Sequence, residues 1–269
     1  MGKKLSIVGG GKMGEALLSG LLAAEWAPAD EISVIEPDDS RRDELQKKYK
    51  ETPFSGNLVP SDNYLLAVKP QLVPNICQEL NNSDPLRVIS IAAGVTIAVI
   101  ESRLTSQTAV LRVMPNTPSM VREGMSAIAP GSFATSEDLD WASSILSAVG
   151  EVVIVNESTL DAVTGLSGSG PAYLFFLAEA MTQAGINNGL DPTVADILTR
   201  QTLLGASTLL AKSGTSPEEL RASVTSPNGT TAAAISELQS NDFLSLCLLY
   251  TSDAADEGLG VDLGGRRII

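Results

Sequence analysis

The sequence predicts a two-part chain: an α/β domain built on a parallel sheet, followed by an all-α domain. Three observations carry this. The chain opens on an apolar run, three spaced glycines and a helical pattern, which is strand, tight turn and helix in immediate succession. Apolar runs then alternate with helical stretches to about residue 156, the rhythm of parallel strands buried on both faces. Beyond that point strand signals stop, and Ala and Leu recur at three and four. The boundary is therefore expected at 158, giving domains 1–158 and 159–246.

The opening strand holds Leu5, Ile7 and Val8, and the following helix Ala16, Leu17, Leu18, Leu21 and Leu22. Between them the glycines stand as Gly9-x-Gly11-x-x-Gly14, with Lys12 and Met13 inside the motif. Gly9 permits a sharp turn, Gly11 lets backbone approach a pyrophosphate, and Gly14 lets the helix pack closely on the strand. The helix N-terminus adds unpaired N–H groups and partial positive charge. A dinucleotide site is expected here.

Residues 31–36 read as the second strand, ending in Glu36, 22 positions past Gly14. A carboxylate there suits the ribose hydroxyls of NAD. Ser40, Arg41 and Arg42 follow and could hold a 2′-phosphate instead, or could simply be the solvated start of a helix running to about Tyr49. The residues leave the preference open. Residues 64–68 form a continuous apolar strand stopped by Lys69-Pro70-Gln71, and residues 87–91 another, ending in Ala92-Ala93-Gly94-Val95. Ligands of open α/β sheets sit outside the carboxyl ends of strands, which is where Lys69, Ala92 and Gly94 fall. Small residues at 92–94 would let a flat ring lie on the backbone, although a tight strand-to-helix turn explains them too. Strands at 110–113, 124–129 and 151–155, a rigid loop Met114-Pro115-Asn116-Thr117-Pro118 and a helix at 138–149 complete the domain.

Helices are expected at 172–184, 192–212 and 217–224, with another at 232–238. Two starts are unusual: Gly165-Leu166-Ser167-Gly168-Ser169-Gly170-Pro171 and Thr225-Ser226-Pro227-Asn228-Gly229-Thr230-Thr231. Taken singly each is a well-capped helix, since Ser, Thr and Asn favour such positions. Two hydroxyl-rich helix starts beside a dinucleotide fold favour a small anionic substrate.

Composition narrows the chemistry. A net charge of −14 over 269 residues argues against nucleic acid or an anionic membrane as partner. The chain has no histidine, which removes Ser-His-Asp triads, His metal sites and His general acids together. Cys77 and Cys247 make no metal or disulfide framework, so no metal is expected and a reducing cytoplasm fits. Met1-Gly2-Lys3-Lys4 leads straight into the first strand, leaving no signal peptide, and no apolar run is long enough to span a bilayer.

Several segments together resemble one family, the pyrroline-5-carboxylate reductases. They are Gly9-x-Gly11-x-Met13-Gly14, Val68-Lys69-Pro70-Gln71, Ala92-Ala93-Gly94, Met114-Pro115-Asn116-Thr117-Pro118, Asp161-Ala162-Val163-Thr164, Ser167-Gly168-Ser169-Gly170-Pro171-Ala172-Tyr173 and Val224-Thr225-Ser226-Pro227-Asn228-Gly229-Thr230-Thr231, in family order from residue 4 to about 246. The resemblance implies a Rossmann-like domain followed by an all-α dimerisation domain, with the active site at the domain junction. It implies hydride transfer from NADPH, with NADH as the alternative, to the C=N carbon of 1-pyrroline-5-carboxylate, giving L-proline in the cytoplasm. A homodimer or higher homo-oligomer follows from the same resemblance. It places Thr231 near the imine nitrogen and the backbone of Gly229, Thr230 and Thr231 on the substrate carboxylate, with Val224, Ser169 and Gly170 completing the pocket. It lines the cofactor cleft with Asn57, Val68, Lys69, Pro70, Ala92, Ala93, Gly94 and Asn116, beside Gly9, Gly11, Lys12, Met13, Gly14, Glu36 and Arg41.

The resemblance stops near Leu246. Residues 247–269, beginning Cys247-Leu248-Leu249-Tyr250-Thr251-Ser252, resemble translated sequencing-adapter DNA. They are expected to be a non-native tail that cuts the closing helix of the second domain short. Two rival readings are weaker. A 3-hydroxyacid dehydrogenase would use a lysine in its helical domain, and Lys212, near a helix end, is the only lysine beyond residue 69. A redox sensor without turnover does not explain the intact loops at 167–173 and 227–231.

Overall fold

A computed structural model describes residues 4–245, which divide into two compact units, 4–169 and 170–245. Residues 1–3 and 246–269, including the adapter-like tail, lie outside the described residues. The first unit runs past the expected boundary at 158. Its last short helix α6 (Leu160–Val163) puts Leu160 into the core of the sheet domain, at 1% exposure, so the connector packs with the sheet.

Eight strands form one sheet: β1 (Leu5–Val8), β2 (Ile32–Ile35), β3 (Phe54–Ser55), β4 (Asn63–Leu66), β5 (Arg87–Ser90), β6 (Ala109–Met114), β7 (Gly124–Pro130) and β8 (Gly150–Ile154). Their order is β3-β2-β1-β4-β5-β6-β7-β8. Neighbours pair in parallel except β6 with β7, so the last two strands run against the other six. The order reverses between β1 and β4, and a ligand crevice belongs outside the carboxyl ends of those strands.

Side chains alternate across the sheet. Leu5, Ile7, Leu65 and Ile89 face α1 (Lys12–Ala23) and α5 (Ser136–Leu146), which supply Leu17, Leu18, Leu21, Ala142, Ile145 and Leu146. Val8, Tyr64, Leu66 and Val88 face the opposite way, onto α3 (Val73–Leu80) and α4 (Ile97–Glu101) through Val73, Cys77, Leu80, Ile97 and Ile100. Each fully buried Leu or Ile contributes about 1.5–3 kcal/mol. Between β2 and β3 runs α2 (Asp39–Lys48), with Leu45 alone of its residues buried.

Ion pairs from Arg87 to Asp138 and Glu137 fix α5 to the sheet. Arg87 on β5 donates from Nε to Asp138 Oδ1 at 2.6 Å, and Asp138 closes the capping box of α5 with Thr135. Burial works against the Asp138 charge, but the bonds from Thr135 and Arg87 outweigh it and hold the carboxyl below its ordinary value. A depressed folded pKa stabilises above the unfolded pKa, about 4, and that stabilisation is lost as pH falls through the lower folded value. Asp138→Asn is therefore expected to cost about 2 kcal/mol at pH 7. In urea melts the gap to the parent protein should narrow below about pH 4, and a pH-independent gap would contradict this account.

The second unit comprises α7 (Gly170–Asn187), α8 (Pro192–Ser213), α9 (Pro217–Ser223) and α10 (Thr230–Ser240). Asp191 caps α8 by accepting from the Thr193 amide at 2.9 Å, and Ser216 caps α9 in a capping box with Glu219. Helices α7 and α8 pack against each other, with Gly185 so close to Ala195 that an added Cβ would sit at 3.3 Å. Both also expose large apolar side chains, among them Phe176 at 72% and Ile197 at 60%. Helices apolar on more than one face belong inside a larger packed body.

Candidate functional site

The glycine turn has the geometry that a diphosphate needs. The Gly9 amide donates to the Ile35 carbonyl at 2.8 Å, and its φ of +107° with the Ala67 carbonyl against it leaves no room for a side chain. A Cβ on Gly14 would run into the Gly9 carbonyl oxygen, so α1 rests directly on the turn. Gly11 is the contrast. It is the N-cap of α1, with ordinary φ, no side chain capping the helix, and nothing within 4 Å of where its Cβ would stand. The first amides of α1 therefore open onto free space at the carboxyl ends of β1 and β4, the arrangement that binds phosphate. Val68, Lys69 and Pro70 follow β4 on this edge, Ala92, Ala93 and Gly94 follow β5, and Asn57 follows β3. Lys12 and Lys69 are exposed there, whereas Met13 packs partly on the core.

Glu36 sits beside the turn with both carboxylate oxygens engaged. Oε2 accepts from the Gly10 amide at 2.9 Å and Oε1 from the Asp38 amide at 3.0 Å. Arg41 reaches the back of the turn, donating from Nε to the Gly10 carbonyl at 2.9 Å, and pairs with Glu15 and with Glu44. Arg42 donates to the Glu36 carbonyl at 2.8 Å and pairs with Asp39. Burial opposes the Glu15 charge, but hydrogen bonds from Lys48 and Arg41 hold its carboxyl below the ordinary value.

Asn116 follows β6 on the same edge, and its side chain is held by protein partners. Its Oδ1 accepts from the Met125 amide at 2.8 Å, while Nδ2 donates to the Ser167 carbonyl at 3.2 Å and to Ser167 Oγ at 3.3 Å. It thus grips the wide helical turn Thr164–Gly168, where the Ser169 amide bonds the Thr164 carbonyl at 2.8 Å. A second brace was missed in the sequence. Glu157 Oε1 accepts from the Ile97 amide at 2.7 Å and from Arg112 Nη1 at 2.9 Å, tying the connector to the helix that follows residues 92–96. The signal was there: Arg112 interrupts an apolar strand and is 9% exposed, and a buried guanidinium demands a carboxylate.

In the second unit, Gly229 is the N-cap of α10 and no side chain caps that helix. Thr230 and Thr231 form its first turn, with Thr231 half-buried, and Val224 is exposed at the end of α9. Gly170 and Pro171 start α7, two residues before the expected Ala172.

Other chemistry is narrowed. Among the described residues no group of three or more His, Cys, Asp or Glu could hold a metal ion, and no helix is long and apolar enough to cross a membrane. Burial pushes the Cys77 thiol up to about 11, which makes it a packing residue and a poor nucleophile.

The chain is similar in sequence and fold to known proteins. Residues 157–257 match the family model described as pyrroline-5-carboxylate reductase dimerisation, and residues 4–94 match one described as NADP oxidoreductase coenzyme F420-dependent. The first match extends past residue 246. The pyrroline-5-carboxylate reductase of Corynebacterium melassecola is 42% identical over 243 residues, spanning 87% of this chain and 90% of its own. The solved pyrroline-5-carboxylate reductase of Coxiella burnetii superposes with a TM-score of 0.89 at 33% identity, covering 96% of this chain and 98% of that one. The Plasmodium falciparum pyrroline carboxylate reductase, solved with NADP bound, superposes with a TM-score of 0.81 at 25% identity and the same coverage.

Proposed function

Because the chain belongs to the pyrroline-5-carboxylate reductase family, and so reduces 1-pyrroline-5-carboxylate to L-proline with a reduced nicotinamide dinucleotide, we propose how its residues divide the work. The dinucleotide diphosphate takes the first amides of α1 at Gly11, Lys12 and Met13. Val68, Lys69 and Pro70 with Ala92, Ala93 and Gly94 line the rest of its cleft, and Asn57 lies at its adenosine end. The observation that carries this is the uncapped start of α1 with open space at Gly11. The nicotinamide, when bound, supplies the hydride that reaches the C=N carbon. The protein aligns the two carbons and holds the carboxylate, catalysis chiefly by positioning. A protonated cyclic imine is electrophilic without a strong protein acid, which is consistent with a chain that has no histidine.

For the substrate we assign the amides of Gly229, Thr230 and Thr231 to the carboxylate, and the Thr231 hydroxyl to the imine nitrogen. Ser169, Gly170 and the exposed Val224 complete the contacts. The uncapped N-terminus of α10 supports this, since its first amides lack helical acceptors and carry partial positive charge.

The donor we assign is NADH, where the family resemblance implied NADPH; Arg41 and Arg42 are the residues that could have held its 2′-phosphate. Both guanidiniums are committed, to Glu15, Glu44, Asp39 and two backbone carbonyls. A 2′-phosphate would meet the Glu36 carboxylate beside two guanidiniums that are already paired. Ribose hydroxyls can donate to the lone pairs that Glu36 keeps on each oxygen. NADPH is the alternative, in keeping with the NADP found in the Plasmodium neighbour. Loss of reduced-cofactor absorbance on adding 1-pyrroline-5-carboxylate, run with both donors, tests activity and preference together. Glu36→Gln is expected to raise kcat/KM for NADPH relative to NADH about tenfold. A parent enzyme that prefers NADPH, with no response to Glu36→Gln, would overturn the assignment.

The exposed apolar faces of α7 and α8 support self-association as a homodimer or larger homo-oligomer, which light scattering on the assayed sample measures. A free, buried Cys77 fits a reducing cytoplasm.

A further inference from the structure

We propose that Asn116 is a positioning residue of the substrate site, setting the turn at 167–169, and that it is not a cofactor contact. The proposal rests on the reductase reading above, through the role given there to Ser169. Its amide is fully oriented by its neighbours. The Met125 amide can only donate, so Oδ1 must face it, and the Ser167 carbonyl can only accept, so Nδ2 must face that. The two ends of one side chain therefore join the start of β7 to the 167–169 turn. The turn needs such a brace. Its Thr164–Gly168 backbone is wound more widely than an α-helix, an arrangement that recurs at functional sites. On one side it hangs from α6, through the Thr164 hydroxyl on the Leu160 carbonyl at 2.8 Å. On another side it meets the loop after β6, where Met114 Cε fills the space that a Cβ on Gly168 would enter at 2.6 Å and Asn116 makes a polar contact. A donor held at this point decides where Ser169 stands.

Asn116→Asp is the sharpest test, because it keeps the shape and the acceptor for Met125 while setting a carboxylate oxygen against the Ser167 carbonyl. The KM for 1-pyrroline-5-carboxylate is expected to rise about tenfold or more. The Kd for NADH, followed by fluorescence in the absence of substrate, should stay within about twofold of the parent value. Ser167→Ala removes only the hydroxyl acceptor and should raise the same KM by about threefold, so the test survives if Asn116→Asp fails to fold. In the double variant the effects should not add, because both act through one contact. A weakened cofactor Kd with unchanged substrate KM would overturn the proposal in favour of a cofactor contact. A lowered Tm with both constants unchanged would reduce Asn116 to a structural brace. Turnover by the parent enzyme is measured first: its absence sinks the reductase reading, whereas an active parent with indifferent variants sinks this proposal alone.

Discussion

Gly11→Ala is expected to leave the fold intact and to weaken reduced-dinucleotide binding about 100-fold. The reason is the difference between Gly11 and its neighbours in the motif. The backbone at Gly11 has φ −67°, which alanine adopts freely, and an added Cβ would touch nothing in the protein. The methyl would project into the space that opens before the first amides of α1, which is where the diphosphate is placed. Loss of a glycine N-cap costs little more than several tenths of a kcal/mol, so the Tm should move by only a few degrees. Gly14→Ala makes the opposite prediction, because its Cβ would run into the Gly9 carbonyl oxygen. There α1 must lift off the turn, costing about 1–3 kcal/mol as overpacking as well as the site itself. Calorimetric titration with NADH beside thermal melts separates the two. A Gly11→Ala protein that binds like the parent would show that the diphosphate lies elsewhere.

The two glycines also show what the sequence could reveal. Their spacing gave strand, turn, helix and ligand in one stroke, because each glycine answers to a separate steric demand that acts over a few residues. The apolar runs of β1, β4, β5 and β6 were legible for a similar reason, since strands buried on both faces have few polar positions to confuse them. Local rules failed where an element was too short to show a period or where a contact was remote. The strand β3 is the pair Phe54–Ser55, α4 has five residues, and α3 carries Pro74 in its first turn; none is long enough to announce itself. The reversal of β7 depends on pairing with β6 across the loop at 117–121, which apolar content does not report.

The site divides along the same line. Residues on the glycine turn and at strand ends stand on one edge of the sheet as expected, because topology alone puts them there. Asn116 stands on that edge too, after β6, and what its motif does not show is that its side chain bonds Ser167, 51 residues on. No spacing rule links two such positions. Glu36, Arg41 and Arg42 pose the same difficulty in electrostatic form. Their types allowed either cofactor, and only the partners of each guanidinium, Glu15 above all, show which charges are already matched.

Thr231→Ala should cost about 100-fold in kcat while leaving the cofactor Kd unchanged. Most threonine hydroxyls in a helix are absorbed locally, as Thr208 is on the Leu204 carbonyl at 2.7 Å and Thr225 on the Arg221 carbonyl at 2.6 Å. Thr231 is the second residue of α10, and no helical carbonyl lies four positions before it. Its hydroxyl is thus set at a helix start whose amides are themselves uncapped, a place where donors and positive potential converge on an anion. If the hydroxyl bonds the imine nitrogen, it is needed when charge and geometry change at the reacting C=N bond, so its loss falls on kcat more than on KM. Thr231→Ser restores the hydroxyl without the methyl and should recover activity to within a few-fold of the parent. Thr231→Val keeps the shape and should be as slow as alanine. A valine variant as fast as the parent beside a slow serine variant would mean that the methyl group, and not the hydroxyl, is what the reaction uses. In that case the substrate contacts of α10 would reduce to the backbone amides of its first turn, and the carboxylate, not the imine, would be what this helix recognises.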